Sequence, residues 1–483
     1  MLPLQFALEH HFGHSRFRPM QREIIETVLA GQDVLAVLPT GAGKSLCYQL
    51  PSLLLPNTTV VVSPLLALMR DQVASLERRG VPGVFQVSAN QPAEDNARAL
   101  QAISDGRARL VFAAPERFAS RGLTEALKAG GVSLFVVDEA HCVCQWGHDF
   151  RPDYLRLSEV IRELAPSSVL ALTATATPRV RHLTLHELGL RDPQVQVGPI
   201  DRSNLYLAVE VCTSQQRLRR LGQLLHAHGS LPALVYVSLK RDAQRVAEHL
   251  QGRGLPALPY HAGMSPGLRA ANQEDFLTGR VPVLVATVAF GMGVDKPDVR
   301  SVVHFQAPGS LEAYYQEAGR AGRDGGPARC TVLHDPLDAD ILRSYCERRY
   351  PGRDDLHEVH LGLCSVPPAT LRNRFPTWPD TRWNLAVGAL LGRGYDRRAR
   401  PERVASVPAA WLRIRALCKA DQERTDRMLD YLETSACRRS VLLPYFGEEP
   451  PAECPGCDNC RPACRSFPRP GLRVRVRQGE GSP

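Results

Sequence analysis

Two series of short apolar runs constrain the fold of this chain more than any other feature. Each run is rich in valine and leucine, and helical segments separate one run from the next. Continuous apolar strands between helices are typical of a parallel sheet that helices cover on both faces. The first series comprises residues 34–39, 59–64, 109–115, 134–139 and 169–174, and the second comprises residues 233–238, 257–261, 281–287, 301–306 and 328–335. We therefore predict two consecutive α/β domains, joined near residues 200–210.

Composition separates a third region from these two. Residues 346–465 lack valine-rich runs and carry arginine, proline and cysteine instead, and residues 466–483 are rich in proline, glycine and arginine. A segment of the latter composition cannot bury enough apolar surface to fold. We predict α/β domains at 1–204 and 205–345, a mainly helical domain at 346–465 and a disordered basic tail at 466–483.

Bulk composition limits the class of protein and its partners. The 483 residues are 44% hydrophobic and 23% charged, which is ordinary for globular proteins. No apolar run reaches the length of a membrane span, and residues 1–17 lack the layout of a secretory signal. The net charge of +9 favours an anionic partner, of which nucleic acid is the commonest. We expect a soluble cytoplasmic protein that does not bind membranes.

The segment VLAVLPTGAGKSLCYQL (34–50) has the order strand, glycine turn and helix that a phosphate-binding loop requires. Glycine lets backbone N–H groups approach a phosphate, and the N-terminus of the following helix adds partial positive charge. Lys44 would reach the β- and γ-phosphates of ATP, and Ser45 would bind Mg²⁺. Leu38 stands where the strict pattern has glycine, so the match is to the shorter TGxGKS form. The predicted nucleotide-binding residues of this loop are Thr40, Gly41, Ala42, Gly43, Lys44 and Ser45.

Two further segments supply the charges that phosphoryl transfer needs. Asp138 and Glu139 follow the strand LFVV, where the first can hold Mg²⁺ and the second can orient and deprotonate the attacking water. QEAGRAGRDG (316–325) places Arg320 and Arg323 three residues apart, on one face of a predicted helix in the second domain. If these arginines complete the site, ATP binds between the two domains, and its binding and hydrolysis close and open the cleft.

Four cysteines near the C-terminus have the spacing of a metal site. Two residues between cysteines let neighbouring thiolates reach one ion, and four thiolates suit tetrahedral Zn²⁺. The candidate ligands are Cys437, Cys454, Cys457 and Cys460. The last three of these and Cys464 have the spacing of an iron–sulfur ligand run, although Arg465 replaces the proline usual after the last cysteine. We favour structural zinc, since four protein ligands leave no open position.

Eight segments in order along the chain resemble the motifs of the RecQ family of superfamily 2 DNA helicases. They are FGHSRFRPMQ (12–21), PTGAGKS (39–45), VVVSPLLALMRDQV (60–73), DEAHCVCQWGHDFRPDY (138–154), ALTATAT (171–177), YHAGM (260–264), VLVATVAFGMGVDKPDVR (283–300) and QEAGRAGRDG (316–325). The CRRSVLLPYFGE segment (437–448) resembles the zinc subdomain of the same family, in which the four cysteines above are the ligands.

The resemblance implies both a fold and an activity. The fold is α/β, with two tandem RecA-like parallel-sheet domains followed by a small, mainly helical zinc-binding domain. The implied activity is that of an ATP-dependent DNA helicase that translocates 3′→5′ on single-stranded DNA and unwinds duplex or branched DNA in repair and recombination. The implied partners are single-stranded and forked or duplex DNA, with single-stranded DNA-binding protein or other repair factors, and the chain is expected to act as a monomer associated with the nucleoid.

The resemblance also assigns roles to single residues. Arg18 and Gln21 would recognise adenine. Arg323 would be the arginine finger, with Arg320 supporting it. In the DEAH segment, His141 is a further catalytic residue beside Asp138 and Glu139, which we call the acid pair. Further contacts with DNA are expected from Ser63, Arg70, Thr173, Thr175, Lys240, His261, Thr287 and Met292.

The aromatic-rich segment after DEAH is implied to sense DNA and signal to the ATP site. Trp146 and Phe150 can stack on bases, a contact worth roughly 1–3 kcal/mol per base. Gln145, His148, Asp149 and Arg151 can link that contact to Glu139. Two other readings stay open, namely a core position for the tryptophan and a metal site. The ligands of that metal site would be His141, Cys142, Cys144 and His148.

The chain departs from the family pattern in two places. About 90 residues separate Cys346 from Cys437, which is longer than the family's two connecting helices, and residues 355–410 are predicted to form either a winged-helix-like module with an arginine-rich wing or an irregular helical insertion. Only 23 residues follow Cys460, so the family's winged-helix and HRDC domains are expected to be absent. Strand separation by the usual wedge is then in doubt, and the alternative function is a DNA-stimulated translocase or remodeller that separates strands weakly.

Overall fold

The computed structural model describes residues 4–119, 121–144, 152–291, 296–392, 401 and 403–461. Its first sheet has seven parallel strands in the order β3-β4-β2-β5-β6-β1-β7. The strands are β1 (Val34–Val37), β2 (Thr58–Val62), β3 (Val84–Val87), β4 (Leu110–Ala113), β5 (Val132–Val137), β6 (Ser168–Thr173) and β7 (Gln194–Val197). Every residue of β1, β2, β4, β5 and β6 is buried, as expected of strands with helices on both faces.

Helices cover both faces of this sheet. The α-helices are α1 (Leu4–Ala7), α2 (Gln21–Leu29), α3 (Leu46–Leu54), α4 (Leu66–Arg78), α5 (Ala93–Ser104), α6 (Arg121–Gly130), α7 (Leu157–Leu164) and α8 (Pro178–Leu188). A π-helical turn spans Leu8–Phe12, and 3₁₀ turns span Pro115–Ala119, Ala140–Val143 and Pro152–Arg156.

The second sheet has six parallel strands in the order β10-β11-β9-β12-β13-β8. The strands are β8 (Leu205–Val211), β9 (Ala233–Tyr236), β10 (Ala257–Tyr260), β11 (Val283–Ala286), β12 (Ser301–His304) and β13 (Ala328–His334). Its helices are α9 (Arg217–Leu225), α10 (Lys240–Gln251), α11 (Pro266–Leu277) and α12 (Leu311–Ala318). The predicted class, two tandem parallel-sheet domains followed by a helical region, is confirmed.

The region after the second sheet is helical in its described part. Its helices are α13 (Asp338–Arg349), α14 (Arg353–Leu363), α15 (Pro368–Leu371), α16 (Asp380–Leu391), α17 (Val407–Glu433) and α18 (Arg438–Tyr445), with a 3₁₀ turn at Arg372–Arg374. Helices α14 to α16 and the first half of α17 enclose a separate apolar core around Phe375, Trp383, Leu390 and Ile414. The arginine-rich segment predicted as a wing lies mainly in 393–400, outside the described residues, and the winged-helix assignment stays a prediction. The predicted tail, 466–483, also lies outside them.

The C-terminal end of the described chain packs on the second sheet. Residues of α17 and α18 and the buried Cys457 share one apolar core with β8, β12 and β13. The backbone N–H of Leu207 on β8 donates to the carbonyl of Gly456 at 3.3 Å, and that of Asp458 donates to the carbonyl of Leu207 at 3.0 Å. The cysteine loop thus covers an edge strand that would otherwise expose unpaired backbone groups. Among the described helices, none is long and apolar enough to cross a membrane.

Candidate nucleotide, nucleic-acid and metal sites

A cavity of about 420 Å³ opens between the two sheets, where the loops after β1 and β5 face the turn after α12. The catalytic candidates that line it are Lys44, Asp138 and Glu139 from the first domain and Arg320 and Arg323 from the second. His141 instead borders an adjacent cavity of about 270 Å³, which Arg320 also lines. The structure therefore brings the two halves of the predicted site together.

Backbone geometry explains why the phosphate loop needs its glycines. Gly41 and Gly43 have φ values of +87° and +77°, a region that side chains disfavour. A Cβ at Gly43 would lie 2.6 Å from Nε2 of Gln21, and one at Gly41 would lie 3.3 Å from Cδ of Arg323. The arginine of the second domain thus lies directly against the phosphate loop of the first.

We expect Gly43→Ala to lower the affinity for ATP by at least tenfold, because the added methyl group combines backbone strain of about 1–2 kcal/mol with a displaced Gln21. Equilibrium titration with a fluorescent ATP analogue measures this. Gly254→Ala is the matched control, since Gly254 has φ +78° and open space around its would-be Cβ. Equal nucleotide affinity of the two variants would contradict the role assigned to Gly43.

Gln21 and Arg18 contact the phosphate loop itself in this structure. Nε2 of Gln21 donates to the carbonyls of Ala42 at 3.1 Å and Gly43 at 2.9 Å, and Nη1 of Arg18 donates to the carbonyl of Gly41. Oε1 of Gln21 accepts the backbone N–H of Arg18 at 2.8 Å. Adenine recognition by these two side chains stays a prediction, and it requires Gln21 to exchange its loop partners for the base.

The acid pair is buried beneath the phosphate loop. Ser63 Oγ donates to Oδ2 of Asp138 at 3.3 Å, and burial raises the pKa of Asp138 to about 6, with the Glu139 carboxylate adding to the shift. Glu139 adopts the left-handed conformation at φ +48°, which is uncommon for this residue type. His141 Nδ1 lies 3.4 Å from Oε2 of Glu139 and 2.8 Å from Oγ1 of Thr173.

The donor set fits a nucleotide with a divalent cation. Within the described residues, Thr40 Oγ1, Glu139 Oε2 and Arg320 Nε are buried without a hydrogen-bond partner, and such atoms are costly unless a ligand or water satisfies them. Ser45 and Asp138 border the same cavity and supply the oxygen atoms that Mg²⁺ prefers. The phosphate oxygens of ATP would accept from the donors of Thr40 and Arg320, and bound Mg²⁺ would take the oxygen atoms of Ser45 and Asp138 as ligands.

The arginine segment differs from its prediction. Helix α12 ends at Ala318, so the prediction that Arg320 and Arg323 share a helix face is wrong. Gly319 follows the helix and Gly322 has φ +54°, and glycine in such positions ends a helix readily. Both arginines therefore lie in the turns that follow the helix, and we call residues 319–326 the arginine turn.

Residues between the sheets hold the arginine turn, and sequence reasoning missed them. Nη2 of Arg202 donates to the carbonyls of Ala321 at 3.2 Å and Gly322 at 2.7 Å. Nδ2 of Asn204 donates to the carbonyls of Gly322 at 2.9 Å and Gly326 at 2.7 Å. No local pattern marks these two side chains, because their partners lie more than 100 residues away along the chain.

The predicted DNA contacts divide by exposure. Arg70 and Lys240 are exposed and His261 is half-buried, so these side chains can reach a ligand. Four others are buried, namely Ser63, Thr173, Thr175 and Thr287. The hydroxyl of Ser63 bonds to Asp138, and Thr173 bonds to His141 and to the carbonyl of Thr175. The structure thus shows Ser63 and Thr173 linking motifs within the protein, and direct contact of the four with DNA stays a prediction.

The described residues on either side of 145–151 lie in the first domain near Asp138. Val143 before it is buried, and the hydroxyl of Tyr154 after it donates to the carbonyl of Asp138 at 2.9 Å. The predicted contacts Gln145, Trp146, His148, Phe150 and Arg151 lie outside the described residues, as does Met292. Among the described members of the alternative metal set, Cys142 lies in the apolar core and His141 bonds to Thr173.

The four candidate zinc ligands lie together. Their sulfur atoms are all within 4.8 Å of one another, and Cys457 is the buried member. Tetrahedral zinc with Zn–S bonds of about 2.3 Å places its sulfur ligands roughly 3.8 Å apart, so a small contraction suffices. Among the described residues, these four cysteines form the one cluster of three or more His, Cys, Asp or Glu side chains that could hold a metal ion. Cys464, needed by the iron–sulfur alternative, lies outside them.

Two parallel sheets share one nucleotide-sized cavity, and the family matches identify the chain as one of the ATP-dependent helicases. Residues 18–183 match the DEAD/DEAH box helicase family, 216–325 the helicase conserved C-terminal domain and 415–461 the RecQ zinc-binding domain. A solved structure of Mycobacterium smegmatis helicase Lhr, bound to single-stranded DNA and AMP-PNP, shares the fold with a TM-score of 0.53 and 22% identity over 86% of this chain and 61% of that one.

Curated relatives specify the family further. The chain is 36% identical to the ATP-dependent DNA helicase RecQ of Synechocystis sp., with 95% of this chain and 98% of the relative covered. It is 32% identical to the protein of that name from Haemophilus influenzae over 94% of this chain, which spans 63% of that relative's length. The chain belongs to the RecQ family of ATP-dependent DNA helicases.

Proposed function

We propose that the chain is a DNA-dependent ATPase that translocates 3′→5′ on single-stranded DNA and unwinds duplex or branched DNA in repair and recombination. The observation that carries this proposal is the shared cavity, in which Lys44 of one sheet domain faces Arg323 of the other. Such a site is complete only while the domains are together, so a cycle of ATP binding and hydrolysis changes their separation.

The residues of the cavity have distinct roles in this proposal. Lys44 and the loop N–H groups bind the β- and γ-phosphates. Ser45 and Asp138 would hold Mg²⁺, which would neutralise charge on the phosphates. Glu139 orients a water and accepts its proton as that water attacks the γ-phosphorus, and the bond to the bridging oxygen of ADP breaks. Arg320 and Arg323 stabilise the charge that develops on the transferred group.

DNA contact is proposed to reach the acid pair through the protein. His141 lies 3.4 Å from Glu139 and forms a hydrogen bond of 2.8 Å with Thr173 at the end of β6. Tyr154, which follows the aromatic-rich positions in the sequence, donates to the carbonyl of Asp138. Arg70 and Lys240, exposed on the two domains, supply phosphate contacts that do not depend on base sequence. The net charge of +9 favours the same polyanion.

A tailed-duplex assay tests this function. With ATP and Mg²⁺, the chain is expected to release the labelled strand from a duplex with a 3′ single-stranded tail and not from one with a 5′ tail, because movement 3′→5′ on the tail leads into the duplex. Lys44→Ala is the control and is expected to release neither. Release from the 5′-tailed duplex alone, or from both equally, would contradict the polarity. Robust DNA-stimulated ATPase with no release would select the weakly separating translocase.

A further inference from the structure

We propose that Glu448, in the turn after α18, is a positioning residue for ATP hydrolysis. It acts through residues 200–204, which we call the joining segment because they connect the two sheet domains. The inference rests on the proposed function and adds a role for α18 and the turn after it, residues 438–448, which we call the C-terminal module. This module fixes the joining segment, and the joining segment fixes the arginine turn.

The C-terminal module binds the joining segment by charge-assisted hydrogen bonds. The carboxylate of Glu448 accepts the backbone N–H groups of Ile200 and, at 3.1 Å, of Asp201. Nε of Arg439 donates to Oδ1 of Asp201 at 2.8 Å, and Nη2 of Arg439 donates to the carbonyl of Arg202 at 3.0 Å. A carboxylate that accepts two adjacent N–H groups fixes the direction of the backbone at that point.

The joining segment in turn holds the second-domain half of the ATP site. Arg202 and Asn204 donate to the carbonyls of the arginine turn, as described above. The hydroxyl of Tyr315, on α12, donates to the carbonyl of Ile200 at 2.6 Å. The helix that leads into the turn and the turn itself are thus both attached to the segment that Glu448 binds.

The same C-terminal turn also touches the first domain. Nη2 of Arg181, on α8, donates to the carbonyl of Phe446 at 2.6 Å. Gly447 has φ +81°, and a Cβ there would lie 2.8 Å from Cγ of Pro178. Residues 446–448 therefore contact the first domain and the joining segment together, at the place where the two domains must keep their relative position.

Glu448 is remote from the chemistry, so its effect is indirect. It is not among the residues that line the nucleotide cavity. Arg323, at the far end of this set of contacts, lies against Gly41 of the phosphate loop. A small displacement of the joining segment therefore moves the arginine relative to the γ-phosphate, and misplacement by about 1 Å costs up to roughly 10²-fold in rate.

Steady-state kinetics of ATP hydrolysis with saturating oligothymidylate tests the proposal. Glu448→Ala is expected to lower kcat by roughly 10- to 100-fold while KM for ATP and zinc content stay near wild type. Glu448→Gln keeps one carbonyl oxygen and is expected to lose less. Glu449→Ala, the exposed neighbour, is the matched control and is expected to match wild type.

A double-mutant cycle separates positioning from general destabilisation. If Glu448 acts through the arginine turn, Glu448→Ala has little further effect on the single-turnover rate of an Arg323→Ala variant. Full additivity of the two losses, or a Glu448→Ala kcat equal to that of Glu449→Ala, would overturn the proposal. Absence of DNA-stimulated hydrolysis in the wild type would instead contradict the proposed function, so the two failures are distinct.

Discussion

Arg323→Ala is expected to lower kcat for DNA-stimulated ATP hydrolysis by about 10³–10⁵-fold, the range measured for arginine fingers. The Cγ and Cδ atoms of the Arg323 side chain lie against Gly41 of the phosphate loop, although Arg323 belongs to the other domain. The guanidinium meets the γ-phosphate mainly in the transition state, so its removal affects the rate more than the binding of ATP. The release of phosphate from labelled ATP, quenched at successive times, measures the rate of hydrolysis. Fluorescence titration measures nucleotide affinity, which is expected to change less than tenfold.

The control for this variant is Arg253→Ala, which removes an exposed arginine from the same domain that does not line the cavity. Its kcat is expected to equal that of wild type. If Arg323→Ala hydrolysed ATP within a factor of ten of wild type, the arginine turn would have no part in the chemistry, and the shared cavity would not be the catalytic site.

Cys457→Ser is expected to remove bound zinc and to destabilise the second domain together with the helical module. Cys457 is fully buried in the apolar core that β8 shares with α17 and α18. Structural zinc sites contribute about 10–16 kcal/mol in isolated zinc-finger peptides, so even a part of that value lowers the unfolding midpoint by more than about 10 °C. Metal analysis and calorimetry measure the two effects.

Two other cysteines serve as controls for the metal site. Cys364→Ser, at an exposed position between α14 and α15, is expected to keep zinc and stability. Cys464→Ser is expected to do the same if zinc is held by the four clustered cysteines. Iron with visible absorbance in the wild type, lost in the Cys464→Ser variant, would contradict zinc and select the iron–sulfur alternative.

The sequence allowed the buried strands to be predicted, together with the edge strand β10, and concealed the other three edge strands of the two sheets. Runs such as those of β1 and β5 are apolar throughout because both faces are covered. β3 and β7 were missed, since these edge strands contain VFQV and QVQV and the latter is largely exposed. β8, at the edge of the second sheet, was missed because its residues overlapped the predicted domain boundary. Edge strands carry mixed patterns, because only part of their surface is buried.

In the candidate nucleotide site, likewise, the residues that follow buried strands could be predicted and those that bond to distant backbone groups could not. Lys44 and Asp138 follow buried strands, so local pattern alone indicated that they would converge at one sheet edge. Asn204 and Glu448 have no such signal, because their partners are backbone groups more than 100 residues away. Prediction from sequence therefore found residues that line the shared cavity and missed those that bond the joining segment to its neighbours.

In the proposed mechanism, both domains bind one nucleotide. A crystal structure with ADP, Mg²⁺, aluminium fluoride and oligothymidylate tests it most directly. We expect the phosphoryl mimic to lie at Lys44, with the guanidinium of Arg323 within about 3 Å of its fluorine atoms. A mimic bound at Lys44 while Arg323 contacts only solvent, DNA or other protein groups would rule out a nucleotide site shared by the two domains.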